Sequence, residues 1–349
     1  MKKFAGSLRY LWVLIALPLA ASTARIYVLN SAGDSVDVID PVTNKIVQVI
    51  EGIEASHGVT FSPDGTRAYI TNEPEKTLDV VDTKLGKIIK RVPMSGLPNL
   101  PVVTTDGKRI LVCIREKPPL AGIDIVDAKT LQVVKTIPMK AGMHDIYTTA
   151  DGKYAVAGSP TGKFLTVIDL KTDQPVWDLA FDRGVQTMAI EAGPGGSARR
   201  IFVQLQHLSG FTVVDFAKRQ EVARITLPAE PSGFSSVNPS HGSIISPDGK
   251  TFWINKAFGN AVVVYSLPDL KLLGQVSLPV LEIPGRPKMG AFPQWLAFTP
   301  DSKTAYVVNP DIKLVSAIDA KSLKVVANVK VGEGPRNIST LVLPSRRQW

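Results

Sequence analysis

The sequence predicts an all-β fold, a seven-bladed β-propeller of four-stranded blades, from two observations. A tripeptide of two apolar, mostly β-branched residues followed by aspartate recurs six times, and one degenerate copy fills the remaining gap. Successive copies are 42, 45, 42, 46, 51 and 53 residues apart, which is the period of a four-stranded blade. Asp-Gly or Pro-Asp-Gly turns also recur at one place within the period, and such turns reverse the chain between paired strands.

Each repeat contains the same four predicted strands. The inner strand leads into the turn, as residues 57–62 do, and the second strand ends in asparagine in several repeats, as in residues 69–72. The third strand carries the tripeptide, and the fourth follows another turn, as in residues 45–50. Alternating and β-branched runs between turn residues are typical of strands. The seven tripeptides end at Asp40, Asp82, Asp127, Asp169, Asp215, Ser266 and Asp319.

The two ends of the repeat array are complementary. The first predicted strand, residues 26–30, is a second strand that no inner strand precedes. The last, residues 337–343, is an inner strand that no outer strand follows. We therefore expect the C-terminal strand to complete the N-terminal blade, because such closure removes the open sheet edges of the ring.

The first 24 residues predict an export signal. Lys2, Lys3 and Arg9 precede an apolar run over residues 11–21, and small residues follow it. The run is shorter than the roughly 20 residues that a membrane-spanning helix needs. We expect cleavage after Ala21 or Ala24, a single propeller domain over residues 25–349, no transmembrane segment after cleavage, and a periplasmic or secreted bacterial protein.

The composition excludes several function classes. The formal charge of +9 falls to +6 without the signal, no run of five basic residues occurs, and only 7% of residues are aromatic. These features exclude a nucleic-acid groove. The single cysteine, Cys113, excludes an intramolecular disulfide, a C-x-x-C redox pair, a thiolate zinc cluster and covalent C-x-x-C-H haem attachment. We expect a monomer whose partner is a small ligand or another protein.

The paired motifs Tyr-Ile-Thr-Asn at residues 69–72 and Ser-Pro-Asp-Gly at residues 62–65 carry a family resemblance. The chain resembles the bacterial and archaeal YVTN family of β-propellers from about Arg25 to Pro344. That family is similar to quinoprotein amine dehydrogenase β-chains and to the d-type haem domain of nitrite reductases. The resemblance implies the fold but no single function, because propellers host unrelated activities.

The start of each inner strand holds a polar residue. Three of the four histidines, His57, His144 and His241, occupy this position in alternating repeats. Inner strands run along the axis of a propeller, so we expect these side chains to ring one mouth of the central channel. In a ring of seven blades the three imidazoles would be separated by roughly 103°, 103° and 154°. The other candidates on this face are Asn99, Gln186, His207, Gln294 and Arg336, with Asn337 as the alternative to Arg336.

Three converging imidazoles predict a site for zinc, copper, iron or haem with a coordination position open to ligand. Thioethers in the loops that enter the inner strands would favour copper or haem iron over zinc. The loop methionines are Met94, Met139, Met143 and Met289. Two alternatives remain open. In the first alternative, the polar ring is only a solvated funnel. In the second, its histidines bind a small anionic ligand directly.

The first functional hypothesis is an exported binding or scaffold propeller that engages a small ligand, a metal or a protein partner at the loop-rich mouth. The alternative is a periplasmic oxidoreductase or cofactor-handling protein that uses His57, His144 and His241 as a metal or haem site. A metal-dependent hydrolase such as a lactonase is disfavoured, because the inner-strand positions offer Asn99 but no aspartate or glutamate.

Overall fold

Strands dominate the computed structural model, which describes residues 24–228, 239–282, 284–285 and 288–343. Within these residues, 28 strands form seven antiparallel sheets of four strands each. Neighbouring inner strands contact one another around the ring. The predicted seven-bladed propeller is therefore confirmed.

The blades are numbered from the N-terminus. Blade 1 consists of β28 (Pro335–Val342), β1 (Ala24–Asn30), β2 (Ser35–Asp40) and β3 (Lys45–Glu51). Blade 2 consists of β4 (Ser56–Phe61), β5 (Arg67–Asn72), β6 (Thr77–Asp82) and β7 (Lys87–Pro93). Blade 3 consists of β8 (Pro98–Val103), β9 (Arg109–Ile114), β10 (Gly122–Asp127) and β11 (Gln132–Pro138). Blade 4 consists of β12 (Asp145–Thr148), β13 (Tyr154–Ser159), β14 (Phe164–Asp169) and β15 (Gln174–Ala180).

The remaining three blades follow the same pattern. Blade 5 consists of β16 (Val185–Ala192), β17 (Ala198–Leu205), β18 (Gly210–Asp215) and β19 (Gln220–Thr226). Blade 6 consists of β20 (Ser243–Ile245), β21 (Thr251–Lys256), β22 (Ala261–Ser266) and β23 (Leu272–Ser277). Blade 7 consists of β24 (Leu296–Phe298), β25 (Thr304–Asn309), β26 (Leu314–Asp319) and β27 (Lys324–Lys330).

The ring closes through blade 1, as the ends of the repeat array predict. Strand β28 pairs antiparallel with β1, so that Leu29 faces Asn337 and Ala24 faces Val342. The N-terminal strand begins two residues earlier than the sequence pattern indicates, because Ala24 and Arg25 still find partners on β28. Closure leaves β1 with a hydrogen-bonded neighbour on each side.

The aspartate that marks each repeat has a structural role. Oδ1 of Asp82 accepts the backbone N–H groups of Lys84 and Leu85 at 3.0 and 2.8 Å. Asp127 accepts those of Lys129 and Thr130 in the same way, at 3.0 and 2.7 Å. A carboxylate that accepts backbone N–H groups two and three residues onward stabilises a turn. The repeated aspartates therefore start the turn between third and fourth strands, and they lie on the face opposite the histidines.

The core lies between neighbouring blades. Phe202 of blade 5 packs on Phe252 of blade 6 with ring centroids 4.6 Å apart. Trp253, fully buried, packs on Phe298 of blade 7 at 5.3 Å. Cys113 is buried in the same way, as expected for a small apolar side chain. This packing fixes the blades against one another and so fixes the relative positions of the loops at the mouth.

A cavity of about 400 Å³ lies on the propeller axis beneath the mouth. Its lining is mostly apolar and comes from the inner strands around the ring and from Trp295, the residue before β24. Lining residues include Val59, Leu100, Ile146, Met188, Ile244 and Trp295. The polar ring at the mouth therefore stands above an apolar channel.

Candidate functional site

The structure brings three imidazoles together at one mouth of the channel. The ring centroids of His57 and His144 are 5.5 Å apart, and those of His144 and His241 are 6.1 Å apart. Both pairs meet edge to face, with interplanar angles of 89° and 88°. The three residues are only 1%, 6% and 5% exposed. Blades 2, 4 and 6 thus supply a compact histidine cluster in which His144 occupies the middle.

Glu73 holds the imidazole of His57. Nδ1 of His57 lies 3.1 Å from Oε1 of Glu73, which directly follows β5 and therefore lies at the mouth. Burial lowers the pKa of His57 below its usual value, although the Glu73 carboxylate acts in the opposite direction. The neutral ring accordingly carries its proton on Nδ1 and leaves a lone pair on Nε2. Nε2 is buried and has no hydrogen-bond partner among the described residues.

The Glu73 carboxylate collects three donors from two blades. Besides His57, its Oε1 accepts a hydrogen bond from Nδ2 of Asn99 at 3.3 Å and lies 3.5 Å from Nη1 of Arg115. Burial by itself would raise the pKa of Glu73, but the His57 hydrogen bond and the charges of Arg115 and Arg336 bring it below its usual value. Glu73 is therefore an ionised carboxylate at neutral pH.

His144 is oriented by a main-chain carbonyl. Its Nδ1 lies 3.0 Å from the backbone oxygen of Gln186. Because a carbonyl only accepts, Nδ1 carries the proton, and Nε2 again bears the lone pair. Burial, followed by the neighbouring histidine and arginine charges, holds the pKa of His144 well below its usual range. Gln186, a predicted ligand-binding residue, orients His144 through its backbone.

His241 depends on a glycine for its place. Gly242 has a φ of +88°, and a β-carbon there would overlap the carbonyl oxygen of Gln294 in the next blade. The imidazole lies edge-on to Trp295 at 5.4 Å, and its buried Nδ1 has no partner within the described segments. Burial lowers the pKa of His241 to about 3, with the charge of Arg336 as the next cause.

Asn255 ties two ring positions together. In blades 1 and 2 the asparagine that ends the second strand donates to an aspartate on the third strand, as Asn72 does to Asp79 at 3.2 Å. In blade 6 Lys256 and Val263 stand at the places of Asn72 and Asp79, and Asn255 lies one residue before the end of β21. Nδ2 of Asn255 instead donates to the backbone oxygen of His241 at 3.2 Å and to that of Gln294.

Arg336 brings a cation to the mouth from β28. Its side chain is partly buried and forms no hydrogen bond or ion pair with any described residue. Burial lowers the pKa of its guanidinium, Glu73 raises it, and Arg115 lowers it. The Arg336 charge in turn lowers the pKa of all three clustered histidines. Arg336 is therefore electrostatically coupled to the whole cluster.

The fourth histidine and the loop methionines, which the sequence suggests as further ligands, take other positions. His207 lies exposed in the turn after β17, where its carbonyl accepts a hydrogen bond from Arg183, so it does not join the cluster. The expected thioether ligands are core residues instead: Met94, Met139 and Met143 pack in apolar clusters. Met289 is 41% exposed and pairs through its backbone with Leu281.

Glu73 and Arg115 are mouth residues that inspection of the inner strands misses. Each is the first residue after the second strand of its blade, and this end of the second strand meets the start of the inner strand. Reading this position in every repeat would have found both. The mouth therefore does contain a carboxylate, which the inner-strand positions alone do not reveal.

The cluster differs from a ready three-histidine metal site. Across residues 24–228, 239–282, 284–285 and 288–343, no group of three or more histidine, cysteine, aspartate or glutamate side chains is placed to hold a metal ion. The three-histidine metal site stays a prediction. What the geometry offers is neutral imidazoles whose Nδ1 atoms are held, in His57 and His144, and whose Nε2 atoms carry lone pairs.

A second cavity, of about 540 Å³, lies between blades 1 and 2 on the face opposite the mouth. Its lining includes Tyr27, Asp64 and Lys84 but no histidine. The mouth remains the better candidate, because the coupled ionisable groups converge there.

Comparisons with known proteins agree with this architecture. The family model described as cytochrome D1 heme domain matches residues 23–194. No curated protein matches the chain significantly. Kuenenia stuttgartiensis hydrazine synthase is similar at 18% identity and a TM-score of 0.72, over 90% of this chain and 99% of that one.

Two further solved structures share the fold. Dihydro-heme d1 dehydrogenase NirN, in complex with DHE, matches at 18% identity and a TM-score of 0.61, over 93% of this chain and 78% of that one. The periplasmic gluconolactonase PpgL of Pseudomonas aeruginosa matches at 15% identity and a TM-score of 0.71, over 92% of this chain and 99% of that one. At these identities the likenesses establish a shared β-propeller fold.

Proposed function

We propose that this protein binds a haem-type tetrapyrrole at the channel mouth, with an imidazole of the His57, His144 and His241 cluster as nitrogen ligand. The observation that carries the proposal is the Nε2 lone pair of His57, which is buried and unpartnered among the described residues while Nδ1 is held by Glu73. A carboxylate or carbonyl on the far nitrogen is the usual setting of a metal-ligating histidine.

Two further observations support a haem-type group over a bare ion. The family match over residues 23–194 includes His57 and His144, and NirN is a fold relative whose structure contains DHE. The described side chains do not enclose an ion, whereas a haem-type group would need only one imidazole nitrogen from the protein. When bound, such a group supplies a redox-active metal with an exchangeable coordination position.

The chain's own residues would prepare the site. Glu73 keeps the proton of His57 on Nδ1, and the Gln186 carbonyl does the same for His144. The apolar channel wall beneath the cluster limits the water that reaches the imidazoles from below. Both effects favour neutral imidazoles whose Nε2 atoms keep their lone pairs.

Haem titration tests the proposal. Purified protein without residues 1–21 is titrated with iron protoporphyrin IX, and the Soret band is followed in the wild type and in the variants H57A, H144A and H241A. The matched control is H207A, because His207 is exposed in a turn outside the cluster. We expect a stoichiometric Soret shift that at least one cluster variant loses and H207A keeps. Absence of a shift in the wild type, or equal binding by all four variants, would reject the proposal.

Zinc, copper and iron ions are titrated in parallel. Stoichiometric uptake of a bare ion that all three cluster variants lose, with no haem binding, would support the three-histidine metal site instead.

The Glu73–His57 pair favours one second candidate, a lactone hydrolase. A neutral His57 with its Nδ1–H on a carboxylate has Nε2 free to take a proton from water, and Arg115 and Arg336 are cations suited to a developing oxyanion. The test is hydrolysis of glucono-δ-lactone by cofactor-free protein in a pH-stat. Turnover that H57A and E73Q abolish would support hydrolysis, and wild-type protein no faster than buffer would exclude it for this substrate.

Export completes the proposal. The described part of the chain contains no helix with the length and hydropathy needed to span a bilayer. The basic and apolar leader supports a periplasmic or secreted protein.

A further inference from the structure

We propose that Arg336 is the anion-recognition residue of the mouth and that the site takes a small carboxylate or inorganic oxyanion beside the histidine cluster. This inference rests on the mouth being a binding site, as in the proposed function, and it names the class of ligand that the mouth accepts.

The charges at the mouth do not balance. Glu73 is the carboxylate that contacts the histidine cluster. The guanidinium groups of Arg115 and Arg336 both interact electrostatically with Glu73. The Glu73 carboxylate and the two guanidinium groups together carry one net positive charge in a partly desolvated setting, where an anion is attracted more strongly than in bulk water.

Oε1 of Glu73 already contacts three other side chains. Its Oε1 serves His57 at 3.1 Å, Asn99 at 3.3 Å and Arg115 at 3.5 Å. The charge of Glu73 acts on the guanidinium of Arg336. Arg336 nevertheless has no hydrogen bond or ion pair to any residue that the structure describes. A partly buried cation without a partner costs free energy, and a bound anion would remove that cost.

The shape of the group selects the ligand. A guanidinium offers parallel N–H donors that match the two oxygens of a carboxylate or of a planar oxyanion. Nearby, the buried Nδ1 of His241, in a residue only 5% exposed, has no partner among the described residues. Arg336 is also the strongest charge influence on His241 after burial. The guanidinium, which starts from the mouth end of β28, and this nitrogen are therefore both left without a protein partner among the described residues.

The first arm of the test uses cofactor-free protein. Sodium formate and sodium nitrate are titrated calorimetrically at low ionic strength, with formamide as the uncharged analogue. We expect one-to-one binding of the anions, no binding of formamide, at least about ten-fold weaker binding in R336Q, and partial recovery in R336K. The matched control is R199Q, because Arg199 lies at the start of β17 on the opposite face with its side chain 54% exposed.

The second arm separates two sources of the same chemistry, a free small anion and a carboxylate of a bound cofactor. Iron protoporphyrin IX is compared with its dimethyl ester, which lacks the carboxylates. At least about ten-fold weaker binding of the ester, with the difference lost in R336Q, assigns Arg336 to a cofactor carboxylate. Equal binding of both forms, with formate still bound, assigns it to a free anion.

The inference is overturned if wild type and R336Q, with matching melting temperatures, bind formate and nitrate equally and discriminate equally between haem and ester. It is likewise overturned if neither anion binds and no discrimination occurs. The proposed function fails by a different result, the absence of a Soret shift, which leaves the formate titration unaffected.

Discussion

Nδ1 of His57 lies 3.1 Å from Oε1 of Glu73, and the two residues come from the inner and second strands of one blade. If this contact holds His57 ready to ligate, E73Q should weaken haem binding about 10- to 100-fold, as outer-shell substitutions at metal sites do. The measurement is a Soret titration, with ¹⁵N NMR of the His57 tautomer as an independent readout. E75Q is the control, since Glu75 is exposed two residues away. Equal affinity of E73Q and wild type would contradict the positioning role.

Gly242 should tolerate no side chain. A β-carbon there would meet the Gln294 carbonyl, and φ is already +88°, so we expect G242A to lower the free energy of unfolding by more than about 3 kcal/mol. G249A is the matched control, because Gly249 has a φ of +71° but open space around it. It should cost only about 1 kcal/mol. Urea denaturation measures both, and similar losses would show that backbone conformation alone accounts for the effect.

Strand β28 should be needed for a soluble ring. Deletion from Pro335 onward removes the partner of β1 and exposes an apolar strand edge, so the truncated protein should aggregate. Deletion from residue 344 onward leaves β28 whole and should remain soluble with a cooperative melt. Size-exclusion chromatography and thermal unfolding compare the two. A soluble, cooperatively melting protein without β28 would refute closure as the source of stability.

The hairpin turns should make the protein less stable in acid. In blade 4, Thr149 donates to Oδ1 of Asp151 at 2.6 Å, and this hydrogen bond lowers the pKa of Asp151 below its usual 3.8. A carboxyl whose pKa is lower in the folded state stabilises the fold above its unfolded-state pKa, and the stabilisation is lost as the pH falls through the folded pKa. Four other hairpin turns repeat this arrangement.

The expected result is a melting temperature that drops below about pH 4, with a few tenths of a kcal/mol per carboxyl because most of these turns are exposed. D151N should flatten the dependence slightly. D311N serves as the opposite control. Burial raises the pKa of Asp311, so the contribution of this carboxyl to the pH dependence of stability has the reverse sign. A melting temperature that rises as the pH is lowered through this range would contradict the assignment.

The export signal should be cleaved after Ala21. Ala24 is only 1% exposed and pairs with Val342, so cleavage after Ala24 would shorten the closing sheet. We therefore expect the exported protein to begin at Ser22, which N-terminal sequencing or intact mass determines. A mature form that begins at Arg25 would show that this pair is dispensable.

The sequence by itself determined the architecture. A period near 46 residues, turn residues at a constant offset and complementary ends specify seven closed blades, because each of these signals is local and repeats along the chain. The same register placed His57, His144 and His241 in one structural position. The residue that starts an inner strand always lies at the mouth, whichever blade it belongs to.

Only the tertiary structure decided which groups contact one another there. The Glu73 contacts to Asn99 and Arg115 cross from blade 2 to blade 3, and they depend on how far the blades rotate and how closely they pack. The same packing leaves Arg336 without an ion pair among the described residues and places His207 on the surface. Periodicity specifies the face on which a side chain lies, but distances of about 3 Å between blades arise from the packing of non-repeated side chains, which no repeat pattern encodes.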